Sequence, residues 1–81
     1  MLRRKLTPKE IAYYKDVGKF EISEWLDEDI INKIRNMATI DIAKGNKKRT
    51  PKDFKSKLEY DYYIADLYDI ADREEKGIPW N

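Results

Sequence analysis

Seven cations fall between residues 44 and 57: Lys44, Lys47, Lys48, Arg49, Lys52, Lys55 and Lys57, against the single acid Asp53. Lys and Arg at this density bind phosphate, because each neutralised phosphate releases condensed counterions. The segment covers an expected interhelical loop and helix start, where free backbone N–H groups add to the positive field. Phe54 and Tyr60 are near enough in sequence to stack on bases. The residues singled out for nucleic acid are Lys44, Lys47, Lys48, Arg49, Lys52 and Lys55. The competing reading is a solvated loop whose charges pair with neighbouring acids.

A second constellation lies downstream. Phe54, Leu58, Tyr62, Ala65 and Tyr68 recur at helical spacing, with Asp61, Asp66, Asp69, Asp72, Glu74 and Glu75 among and after them. Ten of the 81 residues are aromatic and six of these are Tyr, more than one small core needs. Tyr and Trp favour interfaces because an apolar ring carries a polar tip. Phe54, Leu58, Tyr62, Asp66, Tyr68 and Asp69 are therefore the expected contact face for a protein partner or a second copy. Regularly spaced carboxylates can also mimic a nucleic-acid backbone, but mimics carry large negative charge. This chain carries 17 Lys and Arg against 16 Asp and Glu, a net charge of +1. A solvated acidic face is the plainer reading.

Composition removes most chemistry. Cysteine and histidine are absent. Disulfides, thiol nucleophiles, Cys- or His-based metal sites and Ser-His-Asp arrangements go with them. The only glycines are Gly18, Gly45 and Gly77, so no Gly-rich loop cradles a phosphate. No catalytic residue, metal, cofactor or small-molecule substrate is expected, and the chain reads as a non-enzyme. Arg3-Arg4-Lys5 could open a secretory leader, but no apolar stretch follows. The longest uncharged runs, such as Asn36 to Ile40, are far too short for a membrane span. A soluble cytoplasmic protein is expected. Usage rich in Lys, Ile, Tyr and Asp suits a low-GC bacterium or its phage, and in the latter case the host cytoplasm.

The elements that must position these residues are helices. Thr7-Pro8-Lys9-Glu10 and Thr50-Pro51-Lys52-Asp53 each offer an N-cap, a first-turn proline and an acid at the third position. Glu10 can close a capping box onto Thr7, with Leu6 and Ile11 as a hydrophobic staple. The first helix is expected over 8–17, capped by Gly18. Phe20 and Ile22 can plug the core from a short connector. Ser23 is the expected cap of a second helix over 24–43, ending before Gly45-Asn46. Its stripe is Leu26, Ile30, Ile34, Met37 and Ala38, with Ile31 and Ile42 at the edge. Asp41 also projects into that stripe. A frayed last turn with Asp41 in water is expected, and the other reading is a buried acid holding a Lys or Arg.

The third and longest helix is expected over 51–76, stopped by Gly77 and Pro79. Tyr60, Tyr63, Ile64, Leu67, Ile70 and Ala71 make its packing seam. Phe54, Leu58, Tyr62, Ala65 and Tyr68 make a second stripe, which the first helix covers or leaves for a partner. Lys55 and Glu59 are spaced for an i,i+4 pair. The fold class is thus all-α, a single three-helix domain over 1–81, with ends 1–6 and 77–81 that can be flexible. Trp80 is either free or docked.

Charge alternates in blocks along the chain. Residues 1–20 carry net +4, 21–43 net −4, 44–57 net +6 and 58–81 net −5. Residues 7–26 faintly resemble a helix-turn-helix, but Glu24, Asp27, Glu28 and Asp29 would face the phosphate groove. The expected function is a small regulatory protein that binds a partner protein through the third helix. Nucleic-acid binding by residues 44–57 is the alternative, and a structural subunit of a larger assembly the third reading.

Overall fold

The computed structural model describes residues 5–17 and 24–79. Three α-helices and one 3-10 turn follow in the order α1 (Pro8–Val17), α2 (Glu28–Lys44), the 3-10 turn (Pro51–Asp53) and α3 (Lys57–Lys76). No strand occurs among the described residues. The all-α, three-helix architecture is the one expected. α3 is the longest helix and the central one, with both α1 and α2 packed on it.

The local start and stop signals work as chemistry requires. Thr7 Oγ1 accepts the Glu10 N–H at 3.2 Å, and a Glu10 carboxylate oxygen accepts the Thr7 N–H at 3.0 Å. This reciprocal box satisfies donors that a helix start otherwise leaves open. α2 and α3 end in the same way, at Gly45 (φ 73°) and Gly77 (φ 74°), whose left-handed backbone suits a residue without Cβ. The next N–H reaches back to close each end, Asn46 to the Asp41 carbonyl at 2.8 Å and Ile78 to the Arg73 carbonyl at 2.8 Å. Gly18, Phe20, Ile22, Ser23 and Trp80 lie outside the described residues.

Two helix boundaries differ from expectation. α2 starts at Glu28 rather than 24, with Asp27 as a cap residue that makes no side-chain cap bond. Glu24 to Asp27 is irregular instead, and the Glu24 carbonyl accepts the Tyr62 hydroxyl at 3.0 Å. The expected 51–76 helix is interrupted. Thr50-Pro51 starts only a single 3-10 turn, and Phe54 at φ −124°, ψ 153° leaves helical geometry. Phe54 turns onto Tyr63 (centroids 5.2 Å apart) and Tyr60 (5.8 Å). The helix restarts at Ser56, whose Oγ accepts the Glu59 N–H at 3.2 Å. Lys55 consequently precedes α3, and the expected Lys55–Glu59 helical pair does not form.

The core joins Leu6 and Tyr14 to Ile34, Ala38 and Ile42 of α2 and to Tyr62, Tyr63, Ile64, Leu67, Ile70 and Ala71 of α3. The expected seam of α3 is thus buried, with Tyr60 half-buried at its end. On α2 the buried line runs through Ile34, Ala38, Asp41 and Ile42, while Ile30 sits at the exposed margin. Leu6, expected in a flexible end, is buried, and its N–H donates to a Glu74 carboxylate oxygen at 3.2 Å.

Candidate functional site

Asp41 decides how the basic segment is built. It lies in the last turn of α2 and is only 2% exposed, so the expected frayed turn with Asp41 in water is corrected. Burial of a carboxylate is costly unless it is paired and hydrogen-bonded. Asp41 has four donors. Arg49 gives Nε to Oδ2 at 2.9 Å and Nη2 to Oδ1 at 3.3 Å, the fork that guanidinium presents to a carboxylate. Tyr63 donates its hydroxyl to Oδ2 at 2.7 Å, and Asn46 Nδ2 reaches Oδ1 at 3.2 Å. The Tyr63 oxygen in turn accepts the Arg49 backbone N–H at 3.2 Å.

Electrostatics follow from that geometry. The hydrogen bond to Asp41 holds the Arg49 guanidinium above its ordinary pKa. Burial first, and then the hydrogen bond to Asp41, push the Tyr63 phenol far up, with the Arg49 N–H opposing. Tyr63 therefore stays a neutral donor, and Arg49 stays a cation. The cluster ties the end of α2, the 46–50 loop and α3 together.

The basic segment divides into two groups. Arg49 is committed to Asp41, and Lys48 donates to the Tyr60 hydroxyl at 3.2 Å with its ammonium over that ring. Lys44, Lys47, Lys52, Lys55 and Lys57 are exposed, and among the described residues none of them pairs with a carboxylate. Asp53 accepts the Thr50 N–H at 3.0 Å and caps its own turn. Of the six cations singled out from sequence, the structure leaves four facing solvent without a carboxylate partner among the described residues and fixes two as anchors.

The α3 residues singled out for a protein partner sit differently. Tyr62 is buried, Phe54 and Leu58 pack against the core, and Tyr68 is half-buried with Lys15 over its ring at 5.6 Å. Asp66 and Asp69 both receive Arg35 of α2, at 3.3 and 2.8 Å. Asp69 also holds Arg73 at 3.2 Å. Asp72 takes Lys15 of α1 at 3.3 Å and Lys76 at 3.0 Å, and Glu75 takes Lys15 at 2.9 Å. Burial raises the Asp66 carboxyl, only partly opposed by Arg35, and its Oδ2 is buried without a hydrogen-bond partner. The Lys76 hydrogen bond, then Lys15, hold Asp72 below its usual value.

Sequence reasoning missed Arg35, the cation that ties α2 to two acids of α3. It also missed Tyr13 as an exposed ring beside the basic loop. The i,i+3 spacing of Asp66 and Asp69 is the signal that a single cation could bridge them. No group of three or more metal-ligating side chains occurs among the described residues, and no helix there is long and apolar enough to cross a membrane. No family model, curated protein or solved structure matches this chain.

Proposed function

We propose that the chain is a non-enzymatic binding protein whose basic segment, residues 44–57, engages the phosphates of a nucleic acid. One observation carries the reading: Lys44, Lys47, Lys52, Lys55 and Lys57 stand in solvent and have no carboxylate partner among the described residues, while Asp66, Asp69, Asp72 and Glu75 of α3 are paired with the protein's own cations. Cations without a carboxylate partner can neutralise phosphates, and each neutralised phosphate releases condensed counterions from the nucleic acid. Arg49 and Lys48 are spent on holding the loop, so the lysines project from a fixed backbone rather than a loose one. Such preorganisation lowers the ordering cost of binding.

The test is fluorescence anisotropy with labelled DNA and RNA across a salt series. Affinity should fall with salt with a log–log slope of about −0.7 to −0.9 per phosphate neutralised. Replacing Lys47, Lys52 and Lys55 by Glu should abolish binding and leave the fold intact. Arg49→Glu is unsuitable for this purpose, because it would set a second carboxylate against buried Asp41. Absence of binding at low salt overturns the reading.

A second reading rests on a separate observation. Trp25 is 86% exposed, and Ile30 and Ile40 of α2 are exposed as well. Large apolar side chains in water mark contact surfaces. With Tyr62 buried and Phe54 and Leu58 half-buried, a protein partner or second copy would dock on α2 rather than on α3. Light scattering decides the second-copy form: a dimer mass lost in Trp25→Ser supports it, and a monomer mass at high concentration excludes it.

A further inference from the structure

A groove of about 300 Å3 lies between α1 and the turn that follows α2, with Lys9, Tyr13, Tyr14, Asn46 and Lys47 in its walls. We propose that this groove takes one unstacked base of a single-stranded nucleic acid, with Tyr13 as the stacking face and Lys9 and Lys47 on the flanking phosphates. The inference rests on the phosphate-binding reading above, and adds which strand form is bound and where.

Tyr13 is 42% exposed, more than any other tyrosine among the described residues. Its ring packs against a neighbour. Tyr14 meets it edge-on, with centroids 5.2 Å apart and planes at 69°. Tyr14 is itself buried, and its hydroxyl donates to the Asn46 carbonyl at 3.0 Å. That bond fastens the floor of the groove to the turn from which Lys47 emerges. A partly exposed ring packed against a buried neighbour can serve as a stacking platform, and base–aromatic stacking tolerates any sequence.

Charge frames the ring on two sides. Lys9 stands four residues before Tyr13 on α1, hence on the same helical face. Lys47 belongs to the basic loop, which continues the positive field away from the groove. Glu10 also lines the groove, but one of its carboxylate oxygens is turned to the Thr7 N–H in the capping box. A base within a duplex has both faces covered by its neighbours, so only an unstacked base can lie on Tyr13. Single strands should therefore bind more tightly than duplexes of the same sequence.

The experiment is anisotropy with a labelled single-stranded oligonucleotide and with its duplex, using the full chain and three variants. Tyr13→Ala should weaken single-strand binding by roughly five- to a hundredfold and leave duplex binding unchanged. Tyr13→Phe, which keeps the ring, should retain single-strand affinity. Lys47→Glu should weaken both forms. Tyr13 is exposed on a helix and alanine is a good helix former, so circular dichroism of Tyr13→Ala should match the parent. Equal affinity for both strand forms, together with an unaffected Tyr13→Ala, overturns this inference and leaves phosphate binding by the loop in place. No binding of either form overturns both.

Discussion

The acidic flank of α3 and the basic loop of residues 44–57 carry net charge of opposite sign, yet the fold treats them in opposite ways. Asp66, Asp69, Asp72 and Glu75 face cations from other helices and from their own: Arg35 of α2, Lys15 of α1, and Arg73 and Lys76 of α3. Of the loop's cations, only Arg49 pairs with a carboxylate among the described residues, that of buried Asp41. Helical spacing explains the difference. Acids three or four residues apart stack along one side of α3, where neighbouring helices pass within reach. A loop presents side chains in many directions, so all of its lysines but Lys48 stand in water. One region spends its charge on holding the helices together, and the other leaves most of it exposed.

The largest expected effect lies where the two regions meet. Asp41→Ala removes the acceptor of Tyr63, Asn46 and Arg49 at once and leaves a buried phenol without its acceptor. It should cost about 3 kcal/mol in urea unfolding. A loss below about 1 kcal/mol would show that the loop is not pinned through Asp41.

Tyr63→Phe is the gentler version, with an expected cost of about 1–2 kcal/mol. It also carries a pH signature. Because the folded phenol titrates well above its ordinary value of 10.0, its contribution is present below that value and lost as pH rises above it. The stability difference between the parent and Tyr63→Phe should therefore shrink above about pH 10. A difference that stays constant into the alkaline range contradicts the assignment.

Arg35→Gln tests the flank. The pairs it removes are partly solvated, so the cost should be about 0.5–1 kcal/mol, and less in high salt. Asp66→Asn should be smaller still, within about 0.5 kcal/mol, because burial already disfavours its charge and one oxygen has no partner. The raised Asp66 carboxyl favours the fold in acid and loses that contribution as pH rises. The lowered Asp72 carboxyl does the reverse and loses its contribution as pH falls. Acid titration of Asp72→Asn against Asp66→Asn should move stability in opposite directions.

Legibility in the sequence divides by range. Thr7 with Glu10, Gly45 and Gly77 act within a few residues, and each set a helix end where local chemistry placed it. The seam Tyr63, Ile64, Leu67, Ile70 and Ala71 was readable because one helix repeats it at 3-4 spacing. Thr50-Pro51 starts only a 3-10 turn because a local cap can be overruled: Phe54 leaves helical geometry and packs on Tyr63. Ser56 and Glu59 held the competing signal, a Ser followed three residues later by Glu. Asp41 could not be placed from α2 alone, since its partners come from the turn, the loop and α3. For the candidate site, the sequence supplied the cations. Which of them stay unpaired depends on contacts between residues far apart in the chain.

The most direct measurement makes both charge changes in parallel and reads two quantities from each protein. One variant reverses Lys47, Lys52 and Lys55 to Glu, and the other neutralises Asp69 and Asp72 to Asn. Urea unfolding and nucleic-acid anisotropy are measured on both. The loop variant should keep its stability within about 0.5 kcal/mol and lose binding, whereas the flank variant should lose stability and keep binding. A loop variant that unfolds, or one that binds as the parent does, would contradict the division of charge between the two regions.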